Sequence, residues 1–449
     1  MKAMAVRERL VEKVSAGASR FILAALNSSL QECKEIFEDG RSFQETSDFG
    51  CTFLHAAALN KENGFYKILE FASDQINVDK NDSDGDEAIH YAIMAENVYA
   101  AELLLRLRSH EINLLHFLVV QNRLELAQLV HEWKKDLIKE LDPEGRNALH
   151  LAAEYAGKEM CNWIMQEEVF HVNAKTKSGE TALHFALKAE KTDIAKDLVP
   201  SPEDWKVKQG VDNLLHYCIK LKKLRSVKFV HEHDGELIKE KGQEGKVAIQ
   251  IAAQFADREI FEWLNSILKM SNKCLAILSR YAVPFIHCAV ENQNHGPDII
   301  DFLFHCGANI DRQHDNQTPL HVAIRYGYNA AAEELLRLGA DVKKTTGRGL
   351  NYLFFCAKYN NLHVAKLIHA NNGEFISVFR NQKNVLHQAA ETADLDFCKW
   401  LVEQGALSTI ASTNINLLPS STLMEIANGN GKPEISAYFK SLGLDKTPY

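Results

Sequence analysis

The stretch QTPLHVAIRYGY, Gln317–Tyr328, decides how the rest of the chain is read. His321 stands beside an apolar run, where it would suit a general base, a metal ligand or a packing device. Its surroundings recur. TFLHAA ends at Ala57, EAIHYA at Ala92, NLLHFL at Leu118, NALHLA at Ala152 and TALHFA at Ala186. NLLHYC ends at Cys218, PFIHCA at Ala289 and NVLHQA at Ala389. One slot thus holds His55, His90, His116, His150, His184, His216, His287, His321 and His387, mostly at one near-constant interval. A histidine repeated at nine places is structural, not chemical.

Two wide gaps hold degenerate copies: VAIQIA, with Gln250 in the slot, and NYLFFC, with Phe354. Extrapolation outward gives SRFILA with Ile22 and TLMEIA with Glu425. A period near 33 with the pattern T-P-L-H-x-A resembles the ankyrin repeat family. The resemblance covers nearly the whole chain. It implies an all-α solenoid of about 12–13 helix-turn-helix units with hairpin loops. Residues 1–18 form a helical lead-in, and 19–449 a continuous array with degenerate capping repeats at both ends. In this family the slot histidine fixes the loop-to-helix geometry by hydrogen bonding. The resemblance implies the same role here.

The clearest unit, Asp315–Lys344, supports this reading residue by residue. Thr318 suits a helix N-cap and Pro319 the first helical turn. Leu320 and Ala323 share a face. Gly339 closes a second, amphipathic helix. One unit cannot bury its apolar face alone, but a stack can.

Composition excludes several classes. With 51 Lys+Arg against 60 Asp+Glu, the net charge of −9 argues against general nucleic-acid binding. No run reaches the roughly 18 apolar residues of a membrane span, so no membrane insertion is expected. No signal h-region is visible, and the nine cysteines show no CxxC pair, as expected for reduced thiols in the cytoplasm. His231 and His233 invite a metal reading, but i and i+2 neighbours diverge on a helix. Cys218, Cys288 and Cys356 invite a cysteine-hydrolase reading, but they replace small apolar residues. The repeats also leave no room for a catalytic domain. No enzyme activity, metal or cofactor is expected. His131, His231, His233 and His295 read as scattered, and HEWKKDLIKE, 131–140, as a solvated helix face.

Function on such an array belongs to its concave surface. Positions four and five after the slot histidine are expected there. Arg325/Tyr326 and Lys358/Tyr359 would form a cationic and aromatic patch, with Arg312 and Arg348 at nearby hairpin tips. Tyr155 and Phe255 are expected further along the groove. Such a patch suits an acidic peptide or protein surface. The interval 90–116 is too short for a hairpin and predicts a notch; 250–287 is long and predicts an extra helical turn. The expected function is a protein-binding scaffold, a monomer with unidentified protein partners. Two groups share this architecture: effectors that intracellular bacteria deliver into a host cytoplasm, and eukaryotic cytosolic adaptors. Drift between units and the lack of other domains lean toward the effector.

Overall fold

The computed structural model describes the chain except residues 1, 28–29, 39–44, 61–76, 109–112, 168–169, 200–204, 270–283, 347–348, 372, 381–382, 412–421 and 445–449. The described residues are mostly helical, with strands of only two residues. They group into two compact units, Met1–Gly210 and Val211–Tyr449.

Each repeat begins with a helix of six to eight residues, far below the roughly 12 residues at which an isolated helix becomes stable. Its ends and its burial hold it. At Pro319–Tyr326 the Thr318 hydroxyl accepts from the His321 amide, 3.3 Å, and His321 Nδ1 accepts from the Thr318 amide, 3.3 Å. This closes a reciprocal cap. The same cap recurs at Thr52/His55, Asn147/His150, Thr181/His184 and Asn384/His387. Among the described residues the other ring nitrogen reaches the next hairpin at His55, to Asp86 O at 3.0 Å, at His150, to Ala174 O at 3.0 Å, and at His287, to Gln317 O at 3.2 Å. One imidazole therefore fastens a helix start to the following loop. Gln250 reproduces the histidine's part of the cap, its Oε1 accepting from the Val247 amide at 2.9 Å. Phe354 does neither, and Asn351 caps that helix alone.

Where the helix of Pro319–Tyr326 ends, Gly327 sits in the left-handed region, φ 74°. Glu96, Asn122, Glu190, Lys222 and Asn360 hold the equivalent place at φ 54–59°. A side chain other than Asn or Asp in that region costs about 1 kcal/mol or more, so Glu96, Glu190 and Lys222 carry strain that Gly327 avoids.

A longer regularity lies above the single repeat. Segments 113–167, 213–267 and 351–404 are copies of one two-repeat block. In the first repeat of each, a histidine stands in the last turn of the second helix, at one fixed offset from the slot: His131 after His116, His231 after His216, His369 after Phe354. A 3-10 turn follows and buries Ile138, Ile238 or Ile376. Each histidine meets a tryptophan of the next repeat edge-on, with ring centres 5.5–5.8 Å apart: Trp163, Trp263, Trp400. Asn113 and Asn213 also donate to Leu137 O and Leu237 O, at 3.0 and 2.9 Å. His131 and His231 are thus not scattered, and HEWKKDLIKE is not one solvated helix face but a helix followed by a buried-Ile turn.

The short interval after His90 is bridged by side chains. His90 Nε2 meets Gln121 Oε1 at 2.5 Å, and Gln121 in turn donates to Glu87 at 2.8 Å. Arg123 donates to Gly85 O at 2.9 Å. The linking residues 109–112 and the expected extra turn within 270–283 lie outside the described residues.

Candidate protein-binding site

The slot histidines have no place in a chemical site. His55, His90, His116, His150, His184, His216, His287, His321 and His387 are all buried. Burial pushes His116, His184, His287 and His321 down to about 4. The thiols are no better suited. Cys218, Cys288 and Cys356 are buried, and burial pushes the Cys288 thiol up to about 12. A protonated thiol is a poor nucleophile. Among the described residues no three metal-ligating side chains cluster; His233 Nδ1 pairs with Phe229 O at 2.8 Å.

Positions four and five after the slot are not uniformly surface. Leu59, Asn60, Ala95 and Asn292 are buried. Asn60 donates to Ala25 O at 3.1 Å, and Asn292 to Ala253 O and Ala256 O at 3.2 and 2.8 Å. In these repeats the position ties adjacent helices together and offers nothing to a partner.

Arg325 and Lys358 differ. Both are exposed, at the ends of Pro319–Tyr326 and Tyr352–Lys358. The Arg325 guanidinium carbon lies 5.3 Å from the Tyr326 ring centre and 5.9 Å from that of Tyr359. Lys358 Nζ lies 5.5 Å from Tyr359, which tilts against Phe355 at 4.7 Å. A cleft of about 460 Å³ opens between them, lined by Arg325, Phe355, Lys358 and Tyr359 and by the hairpin residues Asp315, Asn316 and Gln317. Asp315 and Asn316 form the tip, at φ 49° and 60°, closed by the His314–Gln317 bridge. Tyr326, 57% exposed, turns its other side to Tyr328, 5.9 Å away.

Charge pairing sets this cleft apart. Lys188 meets Glu154, Lys220 meets Asp212, Lys246 meets Glu244 and Lys383 meets Glu391. Neither Arg325 nor Lys358 has a carboxylate partner among the described residues. The other expected members do not join them. Arg312 is exposed on the hairpin but does not line the cleft. Arg348 lies outside the described residues. Phe255 is shared with Lys220 Nζ at 5.5 Å, and Tyr155 belongs to the first unit.

Short paired helices, reciprocal caps and a hairpin between repeats define a helical repeat protein. The family model for ankyrin repeats (3 copies) matches residues 21–114, 115–209, 265–346 and 286–374, more than half of the chain, which therefore belongs to the ankyrin repeat family. Relatives include the NF-kappa-B inhibitor zeta proteins of Mus musculus and Homo sapiens, each 27% identical over 180 residues. The match covers 38% of this chain and 24% and 25% of those relatives, about a quarter of their length. Repeats of this family imply protein partners. No described helix is long and apolar enough to cross a membrane.

Proposed function

We propose that this chain is a non-enzymatic, monomeric scaffold of the cytoplasm that binds a partner protein through an acidic segment laid across the Arg325–Tyr359 cleft. The arginine held between two tyrosine rings carries the reading. Its guanidinium is pre-oriented, its charge is unsatisfied, and the rings around it supply contact area at small entropic cost. Asp315 at the cleft mouth favours a segment that presents its carboxylates toward Arg325 and Lys358 rather than along the hairpin. Similarity to mammalian inhibitor proteins supports an adaptor of a eukaryotic cell over a delivered bacterial effector.

The test is a pull-down from cell lysate read by mass spectrometry. Wild type is compared with Arg325→Glu/Tyr326→Ala/Lys358→Glu/Tyr359→Ala, both shown folded by circular dichroism. Selective loss of one partner in the variant is the expected result. Recovery of the same partners by both proteins overturns the cleft as the binding site.

A further inference from the structure

A second surface lies in the first unit and rests on different residues. The helix Lys2–Ser15 packs against Arg20–Asn27, Phe53–Leu59 and Ala88–Met94. These are the first helices of three consecutive repeats, so it lies across all three. It seats like a ligand. Leu10 and Val14, one turn apart, are buried, while Val6–Arg9 stay exposed. Between the two, Lys13 reaches Asp82 Oδ2 at 2.5 Å and Asp84 Oδ2 at 2.6 Å, over the Tyr91 ring at 5.7 Å.

Beside the lysine, the receiving site has hydrogen bonds of its own. Asp82 is a fully buried carboxylate in the hairpin before Ala88–Met94. Its Oδ1 accepts from the amides of Asp84 and Asp86, at 2.8 and 2.9 Å. Its Oδ2 accepts from the Tyr91 hydroxyl at 2.6 Å, and Cys51 Sγ lies 3.3 Å from that hydroxyl. Burial alone would raise this carboxyl, but the bonds from Lys13 and Tyr91 outweigh it and hold it down at about 2. A fixed, buried anion with one neutral side-chain donor demands a cation at one point in space.

We propose that the first-helix face around Asp82, Asp84 and Tyr91 is a docking site for a basic amphipathic helix of a partner protein, and that Lys2–Ser15 occupies it in cis. The partner helix carries a lysine one residue before an apolar residue and three after another, as Lys13 stands to Val14 and Leu10. The link Ala16–Ser19 keeps the internal helix at high effective concentration, so a partner must compete with it. A 14-residue segment is marginal as a free helix, so release also unfolds it.

The experiment uses the full chain and a fluorescein-labelled synthetic peptide of residues 2–17, followed by anisotropy. The peptide is expected to bind the Lys13→Glu chain with micromolar affinity and the wild type at least ten-fold more weakly. A peptide carrying the same Lys13→Glu change should lose at least ten-fold on the Lys13→Glu chain. Leu10→Ala/Val14→Ala serves as a second opened chain if Lys13→Glu disturbs folding. Failure of the peptide to bind either opened chain, with native circular dichroism, overturns the proposal. So does equal binding of the two peptides, or collapse of the first unit in both variants, which would make the helix an integral cap.

Discussion

The hairpin at Asp82 and the helix end at Arg325 belong to the same kind of repeat and end in opposite states. At Asp82 the unsatisfied charge is negative, buried and answered from within the chain by Lys13. At Arg325 it is positive, exposed and unanswered. The slot residues beneath are equivalent histidines, His90 and His321. What differs between the two proposed surfaces is therefore carried by the hairpin and the helix end, while the slot keeps both in place.

Acid acts on what the two regions share and gives the largest effect. A slot histidine in the unfolded chain takes up its proton near 6.5, but His116, His184, His287 and His321 in the folded chain do so near 4. Between those values the unfolded state holds more protons, so stability is full above pH 6.5 and falls as pH drops toward 4. The slope is about 1.4 kcal/mol per unit for each histidine. Far-UV circular dichroism should show both units unfolding as pH falls through this window. A profile flat down to pH 4 would contradict the burial of these rings.

Lys13→Ala breaks the comparison on one side. It leaves the Asp82 carboxylate buried beside Tyr91 with no cation and should cost about 3 kcal/mol. The equivalent Lys358→Ala, at an exposed and unpaired side chain, should shift stability by less than about 0.5 kcal/mol. Urea midpoints compare the two; equal shifts would erase the distinction. The pair Arg325→Glu/Lys358→Glu breaks it on the other side. Partner affinity should fall by about 100-fold, equal to about 2.7 kcal/mol, with an unchanged melting temperature.

Two smaller substitutions sharpen the scaffold itself. Lys222→Gly should stabilise by up to about 1 kcal/mol and Gly327→Ala should destabilise by about as much, since both stand where φ is positive. Opposite signs are the result to look for in thermal melts. His369→Phe should change stability by less than about 1 kcal/mol. The Trp400 edge contact survives, and the buried Nδ1 has no hydrogen-bonding partner among the described residues to lose.

The fold was legible because one side chain does two jobs at a fixed distance. The cap at Thr318–His321 and the reach from His287 to the next hairpin both need a histidine every repeat, and the period exposes it. His131, His231 and His369 carry an equally regular signal, at their own constant offset from the slot. It is obscured because their tryptophans stand almost a full period further on, in another repeat. For the proposed binding surface, counting from the slot picked out Arg325, Tyr326, Lys358 and Tyr359, whose side chains the structure brings together. The same count misled at Leu59, Asn60, Ala95 and Asn292, where helix length and neighbour spacing turn the position inward. Spacing along one chain does not say which carbonyl of the adjacent helix lies within reach. Nor does it disclose that Lys13 ends 69 residues away on Asp82.

The blocks at 113–167, 213–267 and 351–404 give the chain an alignment of itself. Every difference between copies is a substitution already tried in a closely matched setting: histidine or phenylalanine at 116, 216 and 354; histidine or glutamine at 150, 250 and 387; asparagine or valine at 147, 247 and 384. Among the positions that never vary across the three, the histidine at 131, 231 and 369, the isoleucine at 138, 238 and 376, and the tryptophan at 163, 263 and 400 mark the joint between paired repeats. A pair, cut at that grain, is the natural part for grafting: blocks exchanged whole would carry their internal fit with them, whereas single repeats would arrive with half a joint.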